Sequence, residues 1–408
     1  MVFALSTLAL APAADWPQWR GPNRDGISKD TGLLQEWPKD GPPLRWKLTD
    51  VGPGYSSPSI IGGKVYLQTT KDQEEFALCL TEKTAATLWK VPIGSVGKNR
   101  GPDYPGTRST PTVDGDCVYC LSSAGQLCCL ETSHGHEKWR KDLVQDFAGQ
   151  VGGAQMSWAY SESLLVDGDN LVCTPGGPQA TLVALNKLTG AVIWKAAVPE
   201  GDTADYASIM AFEAGGLKQY VQFTRKGVVA VDAKTGKFLW RYNKTSDMGA
   251  NILTPVVYGD RVFTSGSRSG GATLEVKGDA GKVEAKELYF AKTLGASIGG
   301  AVLVDGYLYG STTQGLFCVE FATGKSEWTE KSTGQASICY ADGRLYVRSH
   351  TSGDVFLVEA NPKEYVEKGR LKQPDRSKTP AWPHPVVANG GLYLRDMNTL
   401  LCYDVAKK

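Results

Sequence analysis

The chain has 408 residues, with 44 Lys+Arg against 43 Asp+Glu and a net charge of +1. So balanced a chain lacks the basic field that non-specific binding to nucleic acid or an anionic membrane requires, and no apolar run reaches the ~18 residues of a membrane helix. Its 47 Gly, 11 Trp and 17 Tyr exclude a disordered polypeptide and point to many short strands joined by tight turns.

The first segment, Met1–Leu10, is apolar and runs into Ala11-Pro12-Ala13-Ala14-Asp15, where small residues resemble a signal-peptidase site. The expectation is a signal peptide over 1–14 and a periplasmic or otherwise exported protein. No Cys follows that point, so an anchor through an N-terminal cysteine is not expected. Residues 15–43 are read as an extension that packs on the remainder.

From residue 44 a repeat runs to the end. Each copy has an apolar strand, a tight turn, a second strand, a polar turn, a third strand, Thr-Gly-Lys, and a strand carrying Trp. The clearest copies are Leu182-Val-Ala-Leu-Asn-Lys-Leu-Thr-Gly-Ala-Val-Ile-Trp194, Val228-Val-Ala-Val-Asp-Ala-Lys-Thr-Gly-Lys-Phe-Leu-Trp240 and Leu316-Phe-Cys-Val-Glu-Phe-Ala-Thr-Gly-Lys-Ser-Glu-Trp328. Others end at Trp89 and Trp139, and one between Trp240 and Trp328 has its Trp replaced near Leu288–Phe290. The first hairpin of each copy can be followed separately, at Gly62-Gly63, Asp114-Gly115, Asp167-Gly168, Gly215-Gly216, Gly259-Asp260, Asp305-Gly306, Asp342-Gly343 and Asn389-Gly390. These pairs tolerate the positive φ of two-residue hairpins.

Eight four-stranded units predict an all-β fold, a single eight-bladed β-propeller of antiparallel blades over 44–408. The last unit stops at Asp404, three strands in. Its missing Trp strand matches Leu44-Arg-Trp46-Lys-Leu48, which is expected to close the ring and remove its unpaired edge. Pro58, Pro111, Pro255 and Pro385 fall at the starts of first strands, where no ladder donor is lost. The Trp residues read as wedges between neighbouring sheets.

Nine cysteines invite a metal or disulfide explanation. However, Cys79, Cys129, Cys318 and Cys402 occupy the third-strand slot that Ala184 and Ala230 fill elsewhere, so they read as small buried residues. Cys128 and Cys129 are adjacent in one strand and point to opposite faces, as do Cys117 and Cys120. His134 and His136 lie in a turn without a further ligand nearby in sequence, and no nucleophile elbow, P-loop or zinc motif is present. Chemistry is therefore expected in the connections from each outer strand to the next inner one, which converge at one mouth of the channel. These supply Tyr55, Tyr104, Arg108, Trp158, Tyr160, Tyr206, Asn251 and Trp382 as candidate ligand-binding residues, suited to a flat or polar ligand. No catalytic or metal-binding residue is assigned.

Asp15-Trp-Pro-Gln-Trp-Arg-Gly-Pro-Asn-Arg-Asp-Gly26, Trp158-Ala-Tyr-Ser-Glu-Ser, Lys226-Gly-Val-Val-Ala-Val-Asp-Ala-Lys-Thr-Gly and Pro383-His-Pro-Val-Val-Ala-Asn-Gly-Gly-Leu-Tyr-Leu-Arg-Asp resemble a family of bacterial PQQ-like β-propeller proteins. That family is similar in fold and repeat to the outer-membrane assembly protein BamB and to quinoprotein alcohol dehydrogenases. Family members often carry a His-His pair before the Gly-Gly of the sixth first strand, where this chain reads Leu294-Gly-Ala-Ser-Ile-Gly-Gly300. The likeness to BamB implies a non-catalytic scaffold of the cell envelope, monomeric, engaging an envelope protein or a small polar or aromatic ligand. The likeness to quinoproteins implies the alternative, a PQQ-dependent alcohol or sugar dehydrogenase with Ca2+. For that role Trp158, Glu162, Asn251 and Arg108 have suitable side chains. A third expectation is glycan binding by the rim aromatics.

Overall fold

The computed structural model describes residues 14–102, 104, 106–247, 249–279, 282–296 and 298–408. The signal-peptide expectation falls almost wholly on residues outside these. The described strands form eight separate four-stranded antiparallel sheets. Blades 1 to 7 take their strands in sequence order, from Ser59–Ile61 in blade 1 to Glu367–Leu371 in blade 7. Blade 8 is built from Val386–Ala388, Gly391–Asp396 and Thr399–Asp404, and its outer strand is Leu44–Leu48. Trp46 stands opposite Cys402 there, and Arg45 pairs with Asp404 at 2.8 Å. The ring is closed by the strand the sequence pointed to.

All eight inner hairpins have two-residue turns. Those at Gly62-Gly63, Gly215-Gly216, Asp305-Gly306, Asp342-Gly343 and Asn389-Gly390 place both residues at positive φ. In two blades the turn sits one residue later than the sequence suggested, at Gly115-Asp116 and Gly168-Asp169. There, and at Gly259-Asp260, only the Gly is at positive φ. An Asp-Gly-Asp run offers two registers, and the pleat that buries Val113 and Leu165 selects Gly in first position, as a II′ turn requires.

The third and fourth strands meet at one repeated point. Trp89, Trp139, Trp194, Trp240, Trp328 and Trp46 lie opposite Cys79, Cys129, Ala184, Ala230, Cys318 and Cys402. A small residue is needed because the indole folds over it. In blade 5 the pair is Tyr289 and Thr273. Every outer strand carries a register shift just before this position. Such bulges twist exposed edges away from further pairing. They also leave the bulged Leu88, Ile193 and Leu288 facing solvent. Five of the indoles donate to a backbone carbonyl of the following blade, at 2.9 to 3.2 Å. The Gly of the next Thr-Gly turn lies on the ring. A Cβ on Gly190 (φ 70°) would sit 2.8 Å from Trp139.

Blade 7 has Gly369 where the others have Trp or Tyr. The gap is filled from outside the repeat: Trp37 packs tilted against Tyr346 at 5.8 Å, as Trp89 does against Tyr66 at 6.0 Å. Its backbone N–H donates to the carbonyl of Lys368, the bulged residue of that strand (2.9 Å).

All nine cysteines are buried and unbridged. Cys128 joins one core cluster and Cys129 the next, as alternation requires. Among the described residues there is one short helix, Leu143–Phe147, capped by Asp142, which was not anticipated. Among the described residues no helix is long and apolar enough to cross a membrane.

Candidate functional site

One end of the channel is closed by residues 16–34, which touch the inner part of every blade. Trp16 and Ile60 exchange backbone bonds (2.6 and 2.9 Å), Val113 N–H donates to Pro17, and Tyr340 pairs with Gly26 and Ser28. Arg24 is buried and donates to the carbonyls of Ser163, Leu164 and Ile209, at 2.8 to 3.0 Å. Trp19 Nε1 donates to Thr254 Oγ1 (3.0 Å), Arg20 to the carbonyl of Ala301, and Gly390 N–H to Asp30 (2.9 Å). The Asp15–Gly26 motif thus acts as a plug. Arg20 and Arg24 hold left-handed φ of 60° and 59°, and Gly21 faces Trp16 so closely that a Cβ would lie 2.9 Å from the ring.

The other end opens into a cavity of about 300 Å³. Trp19, Arg20 and His384 are at its plugged end. Tyr55, Tyr104, Arg108, Trp158, Tyr206 and Trp382 line it from the connecting loops. The rings are ordered against one another. Trp382 meets Tyr104 at 4.6 Å and Tyr55 at 5.1 Å, and Trp158 meets Tyr206 at 5.6 Å. Trp158 is held by Nε1 donating to Pro102 O and by its N–H donating to Tyr206 Oη. Arg108 donates to Tyr104 O (2.5 Å) and lies over the Tyr55 ring.

Between loops and plug runs a belt of hydroxyls. Thr110 N–H donates to Ser163 Oγ, Ser163 N–H to Ser208 Oγ, and Ser208 N–H to Thr254 Oγ1, at 2.9, 2.9 and 3.3 Å. Each links neighbouring blades, and each hydroxyl keeps its own proton to donate. His384 Nε2–H donates to Ile298 O (2.9 Å), and the ring packs edge-on to Trp19 at 4.6 Å. Burial drives its pKa down to about 3, so the ring is neutral at pH 7.

Of the residues the sequence singled out, Tyr55, Tyr104, Arg108, Trp158, Tyr206 and Trp382 share this cavity; Tyr160 and Asn251 do not. Tyr160 is buried beneath Gly125 and donates to Pro175 O (2.8 Å). Asn251 faces away from the channel, while its neighbours Ala250 and Ile252 line it. Its amide ties Thr224 O, Arg225 O and Asp247 N–H together at 2.8 to 3.1 Å. Glu162 is also buried outside the cavity, accepting from Thr174 N–H and Gln222 (2.5 and 3.1 Å), and desolvation raises its pKa to about 7. Sequence reasoning missed Trp19, Arg20, Ser163, Ser208, Thr254 and His384. The recurrence of Ser or Thr just before first strands was the available signal.

A family model, PQQ_2, described as outer membrane protein assembly factor BamB, matches residues 74–330. The chain belongs to this family. No curated protein sequence matches the chain. Among solved structures it is similar to BamB from Moraxella catarrhalis, at 14% identity over 88% of this chain and 97% of that one, with a TM-score of 0.62. It is also similar to quinohemoprotein alcohol dehydrogenase ADHIIG from Pseudomonas putida HK5, at 11% identity over 97% and 81% of the two chains and a TM-score of 0.65. A computationally designed protein, Ika8, aligns at 9% identity over 89% and 100%, with a TM-score of 0.60. At these identities the shared property is the propeller fold.

The dehydrogenase alternative read from the sequence would require a quinone held with Ca2+. Calcium takes six to eight oxygen ligands, with carboxylates prominent among them. No described residue lining the cavity is Asp, Glu, Asn or Gln. No group of three His, Cys, Asp or Glu among the described residues is placed to hold a metal. The donor set does not fit a calcium-bound quinone.

Proposed function

We propose that this protein is a non-catalytic binding scaffold of the cell envelope whose contact surface is the aromatic mouth of the channel. One observation carries the reading: the cavity wall supplies indoles, phenols, hydroxyls and guanidinium groups, with no carboxylate among its described residues. A dehydrogenase needs a general base in reach of the substrate hydroxyl; the buried Glu162 is committed elsewhere, and His384, with its pKa driven down to about 3 and Nε2 engaged by Ile298 O, is a poor proton acceptor. Membership of the BamB family and the apolar residues at the start of the chain support an exported location. The partner is an envelope protein or a small polar or aromatic ligand.

The test is to mix the purified protein with PQQ and Ca2+ and to follow melting temperature and dye reduction over a panel of alcohols and sugars. No turnover and no stabilisation by PQQ are expected, since a tight ligand raises the melting point by linkage. Turnover would reject the scaffold reading.

A further inference from the structure

Three hydroxyls form an arc on the wall of the channel mouth. Ser163, Ser208 and Thr254 each lie two residues before the first strand of blades 3, 4 and 5, are more than nine-tenths buried, and line the cavity. Thr254 decides what this arc can do. Its Oγ1 accepts from two fixed donors, Trp19 Nε1 (3.0 Å) and Ser208 N–H (3.3 Å), which takes up both lone pairs of a hydroxyl. The proton is left to donate, and no described residue accepts it. Ser163 and Ser208 Oγ each accept one backbone N–H at 2.9 Å and likewise donate to no described residue. Donors held in place by three successive blades suit a ligand with acceptor oxygens around its edge. The rest of the wall is apolar in character: Trp158, Tyr206 and Trp382 supply aromatic surface, Ile252 and Ile298 aliphatic surface. Its cations are committed to the protein. Arg20 donates to the carbonyls of Arg24, Asp25 and Ala301, and Arg108 to those of Tyr104 and Gly106 while lying over the Tyr55 ring. No described lining residue is acidic, and the cavity, at about 300 Å³, is at the small end of ligand sites.

We propose that the channel mouth binds a neutral pyranose, its C–H faces against the aromatic side chains and its oxygens accepting from Ser163, Ser208 and Thr254. An aromatic side chain of a partner would satisfy the ring faces but leave the three donors unmet. An ionic ligand would find no counter-charge that the protein has not already engaged. A pyranose combines apolar faces with acceptors along its rim. A cavity of this size suits one sugar ring, free or at the end of a glycan, rather than a length of polysaccharide. This assignment rests on the channel mouth being the binding surface and names the chemistry bound there.

Trp19, Trp158 and Trp382 line the cavity, so binding is read as a change in intrinsic fluorescence of the full chain. The probes are the methyl glycosides of glucose, galactose and mannose, with maltotriose, glucuronate, glucosamine and N-acetyl-tryptophanamide. At least one neutral sugar is expected to saturate below about 10 mM. It should bind about tenfold or more tightly than either charged sugar, whose ionised group would be desolvated without a partner, and more tightly than N-acetyl-tryptophanamide. A preference for maltotriose over methyl glucoside identifies a glycan end, and the reverse a free sugar. Thr254→Val is expected to weaken binding about two- to tenfold, the worth of one neutral hydrogen bond, and Thr254→Ser to retain it. A purely structural role for Thr254 would lower the melting temperature of the Val variant and leave the affinity of the folded protein unchanged. Should Thr254→Val fail to fold, Trp158→Ala carries the test, with an expected loss of about fivefold or more. No saturation by any sugar up to about 10 mM, equal binding of charged and neutral sugars, tighter binding of N-acetyl-tryptophanamide, or unchanged sugar affinity in these variants overturns the proposal. Dye reduction with PQQ would sink the scaffold reading and leave the sugar site standing; absence of sugar binding would do the reverse.

Discussion

Replacing Trp37 by Ala removes a wedge that blade 7 cannot replace from its own sequence. The indole is 5% exposed, and its neighbour Gly369 has no side chain with which to close the space. A buried Trp removes roughly 150–250 Å² from water, about 4–6 kcal/mol as an upper value at ~25 cal/mol per Å². Measured Trp-to-Ala changes in cores cost about 3–5 kcal/mol. With an unfolding entropy near 2.1 cal/mol/K per residue, a chain of this length loses about 1.2 °C per kcal/mol. The expected fall is therefore about 4–6 °C in scanning calorimetry, with Trp37→Phe losing clearly less. Leu188→Ala, at a side chain 60% exposed in a turn, serves as the control. A Trp37→Ala melting point within 1 °C of wild type, or no lower than that control, refutes the wedge assignment.

Gly190→Ala forces a Cβ toward the Trp139 ring at φ 70°, and strain plus overpacking should cost about 2–4 kcal/mol, read by urea unfolding. Ala85, which holds the same turn position at φ 56°, is the converse case, and Ala85→Gly should cost little or stabilise. His350 is buried, hydrogen-bonded to Ser337 (2.9 Å), and has its pKa driven down to about 3, by desolvation first and Arg348 second. A depressed histidine pKa means the unfolded chain takes up the proton first, so this contribution to stability is intact above about pH 6.5 and falls as the pH drops toward 3. The gap between wild type and His350→Gln should therefore narrow by about 2 kcal/mol between pH 7 and pH 5; a constant gap across that range would count against the buried neutral ring. Deleting residues up to Asp50 strips blade 8 of its outer strand and the channel of its plug, and should expose blade 8 to limited proteolysis and lower the melting point sharply. A truncated chain that melts like the full one would break the closure argument.

The ring was legible because its signals are local and repeated. Two-residue turns and the Thr-Gly-x-x-x-Trp strands recur often enough for Leu44–Leu48 to be recognised as the missing piece. The bulge before each Trp left no such trace, since it depends on pairing geometry rather than on residue type. Trp37 escaped because it belongs to no repeat and acts on a blade more than 300 positions away. Within the site, the aromatics were found through loop position. Asn251 was misplaced because alternation turns every second side chain of such a loop from the channel. Arg20 was visible as part of a motif, yet only the tertiary structure shows that the motif folds into the channel and buries the guanidinium against Ala301 and Gly300.

The segment that seals the ring has a consequence for how the molecule is made. Leu44–Leu48 and Trp37 leave the ribosome well before Thr399–Asp404 and Glu367–Leu371, the strands they complete. At about 5–20 residues per second the leading segment waits roughly 15–70 seconds for its berth. During that interval the nascent chain exposes two unsheltered indoles and an unzipped final sheet, which makes this the stage at which a chaperone has most to protect.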